Sequence, residues 1–199
     1  MSSNSISDAA ALASKLANDH VADVVEVLNG LEPSLGAEVL EKMPIERAAH
    51  VLGQPGFDEP QKLIERLPTA CAVAILAAML ADRRADIFRR LPEPLQTRLC
   101  AQLDEPIRKS LVELLSYPQR SAGGIMTTEF VSASADWTVA RTLEHIRSVG
   151  AGSETIYAIY IVDPGTQQLS RALSLRQLIL SEPQARVAEI GPPRKPVTV

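Results

Sequence analysis

The sequence is poor in cysteine, in aromatic residues, in excess positive charge and in long apolar runs. Its 199 residues include two cysteines, Cys71 and Cys100, which are too few for a disulfide framework and stand in no CxxC motif. Lys and Arg number 20 against 24 Asp and Glu, and this balance argues against non-specific binding to nucleic-acid phosphates. The longest apolar run, 70–81, is shorter than the roughly 20 residues of a membrane-spanning helix. With no signal-peptide pattern at the N-terminus, we expect a soluble, intracellular protein.

Catalytic motifs are also lacking. His20, His50 and His145 are scattered, and none stands in a GxSxG, HExxH or P-loop context. We therefore expect no enzyme. Both cysteines lie in apolar helical patterns, which favours a place in the core.

The net charge and the residue pattern both change near residue 117. Residues 1–116 carry 17 acids and 12 bases and are rich in Ala and Leu at helical spacing. Residues 117–199 carry 7 acids and 8 bases and introduce short runs of Val, Ile, Thr and Tyr between turn residues. This contrast predicts a helical domain followed by a mixed α/β domain.

An internal repeat of 24 residues runs through the helical part. It is marked by prolines that each follow an apolar residue: Pro44, Pro68 and Pro92. Because proline is tolerated only at the start of a helix, each should separate two helices. Asp58 and Asp82 recur at this period and suit N-caps. In a degenerate fourth copy, Leu111-Val112 and Leu115 occupy the equivalent positions of the 24-residue repeat. The repeat predicts stacked short helices in a right-handed superhelix or an irregular bundle.

The second part predicts the order β-α-β-β-α. Strands are expected at 129–132, 156–162 and 169–173, and helices after Asp136-Trp137-Thr138 and at 175–180. Asp136 is the expected helix cap. The run IYAIYIV at 156–162 has no polar face and should be buried on both sides. Glu129 and Glu154 flank strands and are expected to be exposed.

Five short motifs occur in one order and together resemble a known family. They are SAGGIMT (121–127), DWTV (136–139), ETIY through IVD (154–163), LSLR (173–176) and RVAEI (186–190). The segment they span resembles a cystathionine-β-synthase (CBS) motif, and the whole chain resembles the cytosolic portion of MgtE-type magnesium transporters. The resemblance implies a multi-domain α and α/β fold. Its parts are a helical N domain at 1–116, a junction at 117–126 and a CBS domain at 127–199, whose second motif only begins at 197–199.

The resemblance implies Mg²⁺ as the ligand, and clustered carboxylates suit that ion. The best candidates are Asp82 and Asp86, whose i, i+4 spacing places both on one helix face. The family places acids facing the CBS domain in this stretch. Alternatively, Asp82 is an N-cap and Asp86 a first-turn acid paired with Arg89 or Arg90. Asp104 and Glu105 are weaker candidates, for which a capping role is preferred.

Two departures from the family predict weaker Mg²⁺ sensing. Gln119-Arg120 stands where relatives usually carry acids, and His50 stands where some relatives have an acid. Nucleotide binding is not expected either. Arg171 and Gln177 replace the Gly and Asp of the family pattern around Ser174, so that only Ser174, Arg171 or Arg176 could contact a nucleotide.

The implied function is a cytosolic regulatory module of a magnesium transporter. Mg²⁺ bound between the helical and CBS domains would favour the closed pore. The implied partners are the protein's own transmembrane domain, absent from this chain, and a second copy through the CBS domains, at the cytoplasmic face of the membrane. We expect neither nucleic-acid binding nor membrane insertion by this segment. The alternative is a standalone adaptor that binds a protein without responding to metal.

Overall fold

The computed structural model describes residues 2–127, 130–149 and 156–191. The chain divides into two compact units, Met1–Met126 and Thr127–Val199. The first is entirely helical in its regular structure, and the second combines a small mixed sheet with helices. The segment at 197–199, where a second CBS motif is expected to begin, lies outside the described residues, as do Glu129 and Glu154.

The first unit is built from short helices. Their bounds are α1 Ser2–Leu16, α2 Val21–Asn29, α3 Pro33–Lys42, α4 Ile45–Leu52, α5 Pro60–Ile64, α6 Thr69–Ala78, α7 Ala81–Arg90, α8 Glu93–Cys100, α9 Glu105–Ser116 and α10 Ala122–Ile125. Helices pack against the next helix but one in the chain: α2 contacts α4, α4 contacts α6, and α7 contacts α9. Since the 24-residue repeat contains two helices, equivalent helices of successive repeats lie side by side.

The repeat prolines separate helices as predicted. Pro44, Pro68 and Pro92 occupy the N-cap positions of α4, α6 and α8, each in an extended conformation with ψ near 138°. The predicted caps Asp58 and Asp82 were wrong, because Glu59 is the N-cap residue of α5 and Leu80 that of α7. The extended backbone at Leu80 starts α7 at Ala81, which leaves Asp82 in its first turn.

The apolar pairs of the repeat form the core of this unit. Leu40, Ile64 and Phe88 are each at most 1% exposed, and Leu111 is fully buried. The fourth copy departs from the predicted positions because Val112 is 55% exposed and Leu114 is buried instead. Residues 111 and 114 are one turn apart on α9 and therefore share its inner face. Cys71 and Cys100 are half-buried against this core, and burial raises the pKa of the Cys71 thiol, as does nearby Glu41.

The second unit has the predicted β-α-β-β-α order. Strand β1 (Val131–Ser134) pairs in parallel with β2 (Ala158–Val162), which pairs antiparallel with β3 (Leu169–Ser174). Helix α11 (Val139–Val149) lies between β1 and β2 in the chain, and α12 (Leu175–Leu180) follows β3. A 3₁₀ turn covers Val187–Glu189.

Three local predictions for the second unit need correction. The first strand, Val131–Ser134, begins two residues later than the predicted 129–132. Helix α11 is capped by Thr138, whose hydroxyl accepts from the Arg141 N–H at 3.3 Å, and not by Asp136. Strand β2 is fully buried on one face only: Ile159 and Ile161 are inaccessible, whereas Tyr160 is half-buried beside Phe130. One face of the small sheet therefore carries the core.

The turn between β2 and β3 follows the predicted Asp-Pro-Gly sequence. The Asp163 carboxylate accepts from the backbone N–H groups of Thr166 and Gly165 at 2.8 and 3.0 Å. These bonds to the ionised form lower the pKa of Asp163. The carboxylate thus fixes the turn that sets the register of the two strands.

Candidate metal site on helix α7

Helix α7 carries both of the favoured candidates. Asp82 is its second residue and Asp86 follows one turn later. Residues at this spacing lie on the same side of a helix, with Cβ atoms about 5–6 Å apart. The N-terminal position of Asp82 also places its negative charge at the positive end of the helix dipole.

The Asp82 carboxylate is largely enclosed. Its side chain is 18% exposed, and Oδ2 lies 3.7 Å from Nε of Arg83. Its other oxygen, Oδ1, is buried and accepts no hydrogen bond from the described residues. A buried carboxylate oxygen without a donor is costly, because desolvation of the charged group is not offset by a bond. A cation bound at this oxygen would supply the missing partner.

The Asp86 carboxylate is more accessible and already has a cationic partner. Its side chain is 41% exposed, and Oδ1 lies 3.2 Å from Nη1 of Arg89. Asp86 also lines a cleft of about 70 Å³ together with Arg83 and Arg90. The predicted pairing of Asp86 with Arg89 is therefore present, but Asp86 lies in the second turn of α7 and not in the first.

Positive charge surrounds the two acids. The helix sequence ADRRADIFRR contains two aspartates and four arginines. Arg83, Arg89 and Arg90 all lie near one of the carboxylates, by ion pairing or by sharing the cleft. This arrangement lowers the affinity of the carboxylates for a cation, because the arginine charges offset theirs.

The fourth arginine of α7 has a different role. Arg84 is 4% exposed, and its guanidinium donates to the carbonyl of Leu76 at 2.7 Å and of Met79 at 2.5 Å. These carbonyls belong to the last turn of α6 and to its C-cap, where backbone acceptors are left without helical partners. Arg84 therefore fixes the angle between α6 and α7 and so places the start of α7.

The weaker candidates lie on another helix. Asp104 is the N-cap residue of α9 but makes no side-chain cap bond, and Glu105 is ion-paired with Arg108 one turn later. Among the residues that the structure describes, no group of three or more His, Cys, Asp or Glu side chains converges as a metal site would require. The structure thus presents Asp82 and Asp86 as a pair on one helix, separate from Asp104 and Glu105.

The three positions where relatives carry acids and this chain does not are all exposed. His50 on α4, and Gln119 and Arg120 before α10, have open side chains. The remaining histidines have structural roles: His20 caps α2 by accepting from the Ala22 N–H, and His145 packs edge-to-face on Trp137.

Two of the three predicted nucleotide contacts, Ser174 and Arg171, are engaged in local bonds. Ser174 and Gln177 form a capping box at the start of α12, in which the Gln177 N–H donates to Ser174 Oγ at 3.2 Å. Arg171 donates to the backbone carbonyl of Ile190. Arg176 is exposed.

Sequence reasoning missed two arginines that organise this region. Arg84 was not singled out, and Arg89 was considered only as a partner of Asp86. The available signal was positional: Arg84 follows the α6–α7 break by four residues and lies on the apolar face with Ala81, Ile87 and Phe88. Burial of an arginine among such residues is rare unless it is fully paired, so residue type argued against it.

Comparison with known proteins gives a consistent result. The sequence model of the MgtE intracellular N domain matches residues 19–120. The magnesium transporter MgtE of Thermus thermophilus is 33% identical over 190 residues, which are 94% of this chain and 42% of that protein. The MgtE of Bacillus subtilis is 26% identical over 187 residues, covering 88% of this chain and 41% of that protein. The chain thus spans less than half the length of these relatives.

A solved structure matches across both units. The crystal structure of the cytosolic domain of the Mg²⁺ channel MgtE in complex with ATP aligns with a TM-score of 0.83 and 33% identity, covering 92% of this chain and 75% of that chain. Within the described residues, none of the helices has the length and apolar character needed to span a bilayer. From the match over 19–120 and the shared fold, the chain belongs to the MgtE intracellular N-domain family.

Proposed function

We propose that this chain is the cytosolic regulatory portion of a magnesium transporter and that it senses Mg²⁺ through Asp82 and Asp86. The observation that supports this most strongly is the match to an MgtE cytosolic domain over 92% of the chain, including both units. The second unit has the β-α-β-β-α order expected of a CBS motif, which we assign to 127–199. Bound Mg²⁺ favours the closed pore of the complete transporter.

The fit of the ion rests on the geometry of α7. Mg²⁺ prefers carboxylate oxygens and keeps several of its own waters, so two acids one turn apart are sufficient protein ligands. Asp82 Oδ1 is a buried acceptor without a donor, and Asp86 is accessible from solvent. A cation held by both relieves the desolvation of Asp82 and the repulsion between the two carboxylates.

The affinity is expected to be modest. Arg83, Arg89 and Arg90 offset the charge of the acids, and the exposed positions 50, 119 and 120 add no carboxylate. Sensing therefore suits a high intracellular Mg²⁺ concentration rather than trace levels, since weak sites respond only when the ion is abundant.

The proposed partners follow from the same family membership. The chain is joined in the working protein to a transmembrane domain and lies at the cytoplasmic face of the membrane. Two copies pair through their CBS domains. Asp104 and Glu105 keep a structural role at the start of α9, and no enzymatic activity is assigned.

Nucleotide binding is not part of this proposal, although the related cytosolic domain forms a complex with ATP. The Ser174 hydroxyl is held in the capping box, and Arg171 is bonded to Ile190. A nucleotide would have to displace these bonds, and no carboxylate stands at position 177 to hold a ribose.

The test is a calorimetric titration of the 199-residue chain with MgCl₂ at constant ionic strength. We expect saturable binding that is lost in the double variant Asp82→Asn, Asp86→Asn. The matched control is Asp23→Asn, Glu26→Gln, which neutralises two acids of α2 and should leave binding unchanged. Loss of binding in Asp104→Asn, Glu105→Gln instead would transfer the site to α9.

Two further outcomes decide between functions. If the wild-type chain shows no binding heat up to tens of millimolar Mg²⁺, the sensing role is overturned and a metal-independent protein adaptor is favoured. Titration with ATP in the same buffer should give no binding, and saturable heat there would contradict the assignment of Ser174 and Arg171 as purely structural.

A further inference from the structure

We propose that Arg89 is a positioning residue that couples Mg²⁺ binding at Asp86 to the packing of the junction segment, residues 117–126. This inference rests on the proposed function, since it requires that Asp86 bind the ion. It concerns groups that all lie within the first unit.

The Arg89 guanidinium joins three elements. Nη1 donates to Asp86 Oδ1 at 3.2 Å and to the Gly124 carbonyl at 3.4 Å, and Nη2 donates to the Leu114 carbonyl at 2.7 Å. Leu114 lies in the last turn of α9 and Gly124 in α10. The side chain is 14% exposed, so water competes weakly for these bonds. A planar, forked donor is needed to make all three at once.

The junction segment is tightly packed, so it cannot keep its bond to a displaced Arg89 by small shifts of its backbone. A Cβ atom at Gly124 would lie 2.1 Å from the Pro118 carbonyl oxygen, and one at Gly123 would lie 2.5 Å from the Tyr117 ring. Ser121 ties the turn together, because its hydroxyl donates to Pro118 O at 2.7 Å and accepts from the Gly124 N–H at 3.1 Å. A bond lost at Gly124 therefore loosens the turn as a unit.

Mg²⁺ competes with Arg89 for the Asp86 carboxylate. The guanidinium lies 3.2 Å from Oδ1, and an ion bound by either oxygen of this carboxylate stands close enough to repel the guanidinium. When Mg²⁺ binds, the Arg89–Asp86 bond breaks and Nη1 is displaced. The same nitrogen holds Gly124, so the displacement weakens the bond to α10. Since coupling is reciprocal, a well-packed junction also lowers the affinity for Mg²⁺.

The experiment is amide hydrogen exchange of residues 117–126 in the 199-residue chain, with and without saturating MgCl₂, combined with calorimetric Mg²⁺ titration. In the wild type, Mg²⁺ should accelerate exchange in this segment. In Arg89→Met, Mg²⁺ should bind about two- to fivefold more tightly, because an opposing charge is removed. The exchange of 117–126 should then no longer depend on Mg²⁺.

The matched control is Arg90→Met, which removes one positive charge from the same cleft, while Arg90 makes no hydrogen bond to the described part of the junction. It should tighten Mg²⁺ binding but keep the exchange response. Arg89→Lys should retain the weaker affinity and lose the response, because an ammonium group cannot make the three bonds together. If circular dichroism shows that Arg89→Met does not fold, Arg89→Lys takes its place in the experiment.

The outcomes separate the two proposals. An intact Mg²⁺ response of 117–126 in Arg89→Lys or Arg89→Met overturns the coupling role alone. Equal loss of the response in Arg90→Met also overturns it, since charge and not geometry would then be responsible. Absence of Mg²⁺ binding to the wild type overturns the proposed function and this inference together.

Discussion

Arg84 illustrates how one residue can determine where a helix begins. It is 4% exposed, and its guanidinium binds the Leu76 and Met79 carbonyls at the end of α6. Because the start of α7 depends on this bend, Arg84 also determines where Asp82 and Asp86 stand. Bonds to these backbone acceptors stabilise the buried cation.

Replacing Arg84 by Met should therefore destabilise the protein. The change leaves two buried carbonyls without this donor, and we expect the free energy of unfolding to fall by about 2–4 kcal/mol. Urea denaturation followed by circular dichroism measures it. The matched control is Arg98→Met at an exposed position of α8, expected within about 0.5 kcal/mol of wild type. Equal effects of the two variants would contradict the role assigned to Arg84.

Single residues also explain why the metal affinity should be low. Asp82 and Asp86 alone suggest a cation site, but Arg89 occupies one oxygen of Asp86 at 3.2 Å. The sequence shows the arginines without showing which of them point toward the acids. Arg84 points into the core, whereas Arg83 and Arg90 line the cleft with Asp86.

At the scale of elements, the junction at 117–126 depends on two adjacent glycines. Gly124 lies under the Pro118 carbonyl, and Gly123 faces the Tyr117 ring. From the sequence, this stretch is assigned as a junction between two domains. The structure shows that it is a short helix, α10, held by the Ser121 cap and by Arg89.

Gly124→Ala should disrupt this element. A Cβ atom would lie 2.1 Å from backbone oxygen, which cannot rotate away as a side chain could. We expect a loss of about 1–3 kcal/mol in the free energy of unfolding and faster proteolysis near residue 120. Thermal denaturation and limited trypsin digestion measure these effects.

The control for this prediction is Gly56→Ala. A Cβ atom there would have its nearest neighbour, Val25 Cγ1, at 4.0 Å, which is an ordinary contact. Its stability should stay within about 1 kcal/mol of wild type. If Gly124→Ala were as stable as Gly56→Ala, the tight packing of the junction would be refuted.

At the scale of the whole molecule, each unit has its own hydrophobic core. One core contains Leu40, Ile64 and Phe88 of the helical unit, and the other contains Ile159, Ile161 and Leu178 of the second unit. Units with separate cores can open separately, because the loss of contacts in one leaves the other core intact.

Ile161→Ala should therefore unfold the second unit selectively. Ile161 is fully buried in β2, and its truncation should cost about 2–5 kcal/mol. Hydrogen exchange should lose protection in β1, β2, β3 and α11 while α4–α9 stay protected. Leu40→Ala, equally buried in the first unit, is the matched variant and should give the opposite pattern. Loss of protection in both units from either change would show that they unfold together.

The periodic features of the sequence predicted most of the architecture. The prolines at 44, 68 and 92 located helix boundaries because their conformational limits act locally. The β-α-β-β-α order followed from apolar runs and turn residues for the same reason. Caps were less predictable: Asp58, Asp82 and Asp136 have suitable side chains, but the backbone turned into a helix at neighbouring residues.

The sequence by itself determined the repeat, the order of elements and the pairing of Asp82 with Asp86 on one helix, since all three depend on spacing along the chain. The tertiary structure alone decided that Arg84 is buried, that Asp82 Oδ1 lacks a donor and that Arg89 links Asp86 to α9 and α10. These contacts join residues up to 35 positions apart. They arise from helix packing, which brings distant backbone carbonyls within reach of one guanidinium.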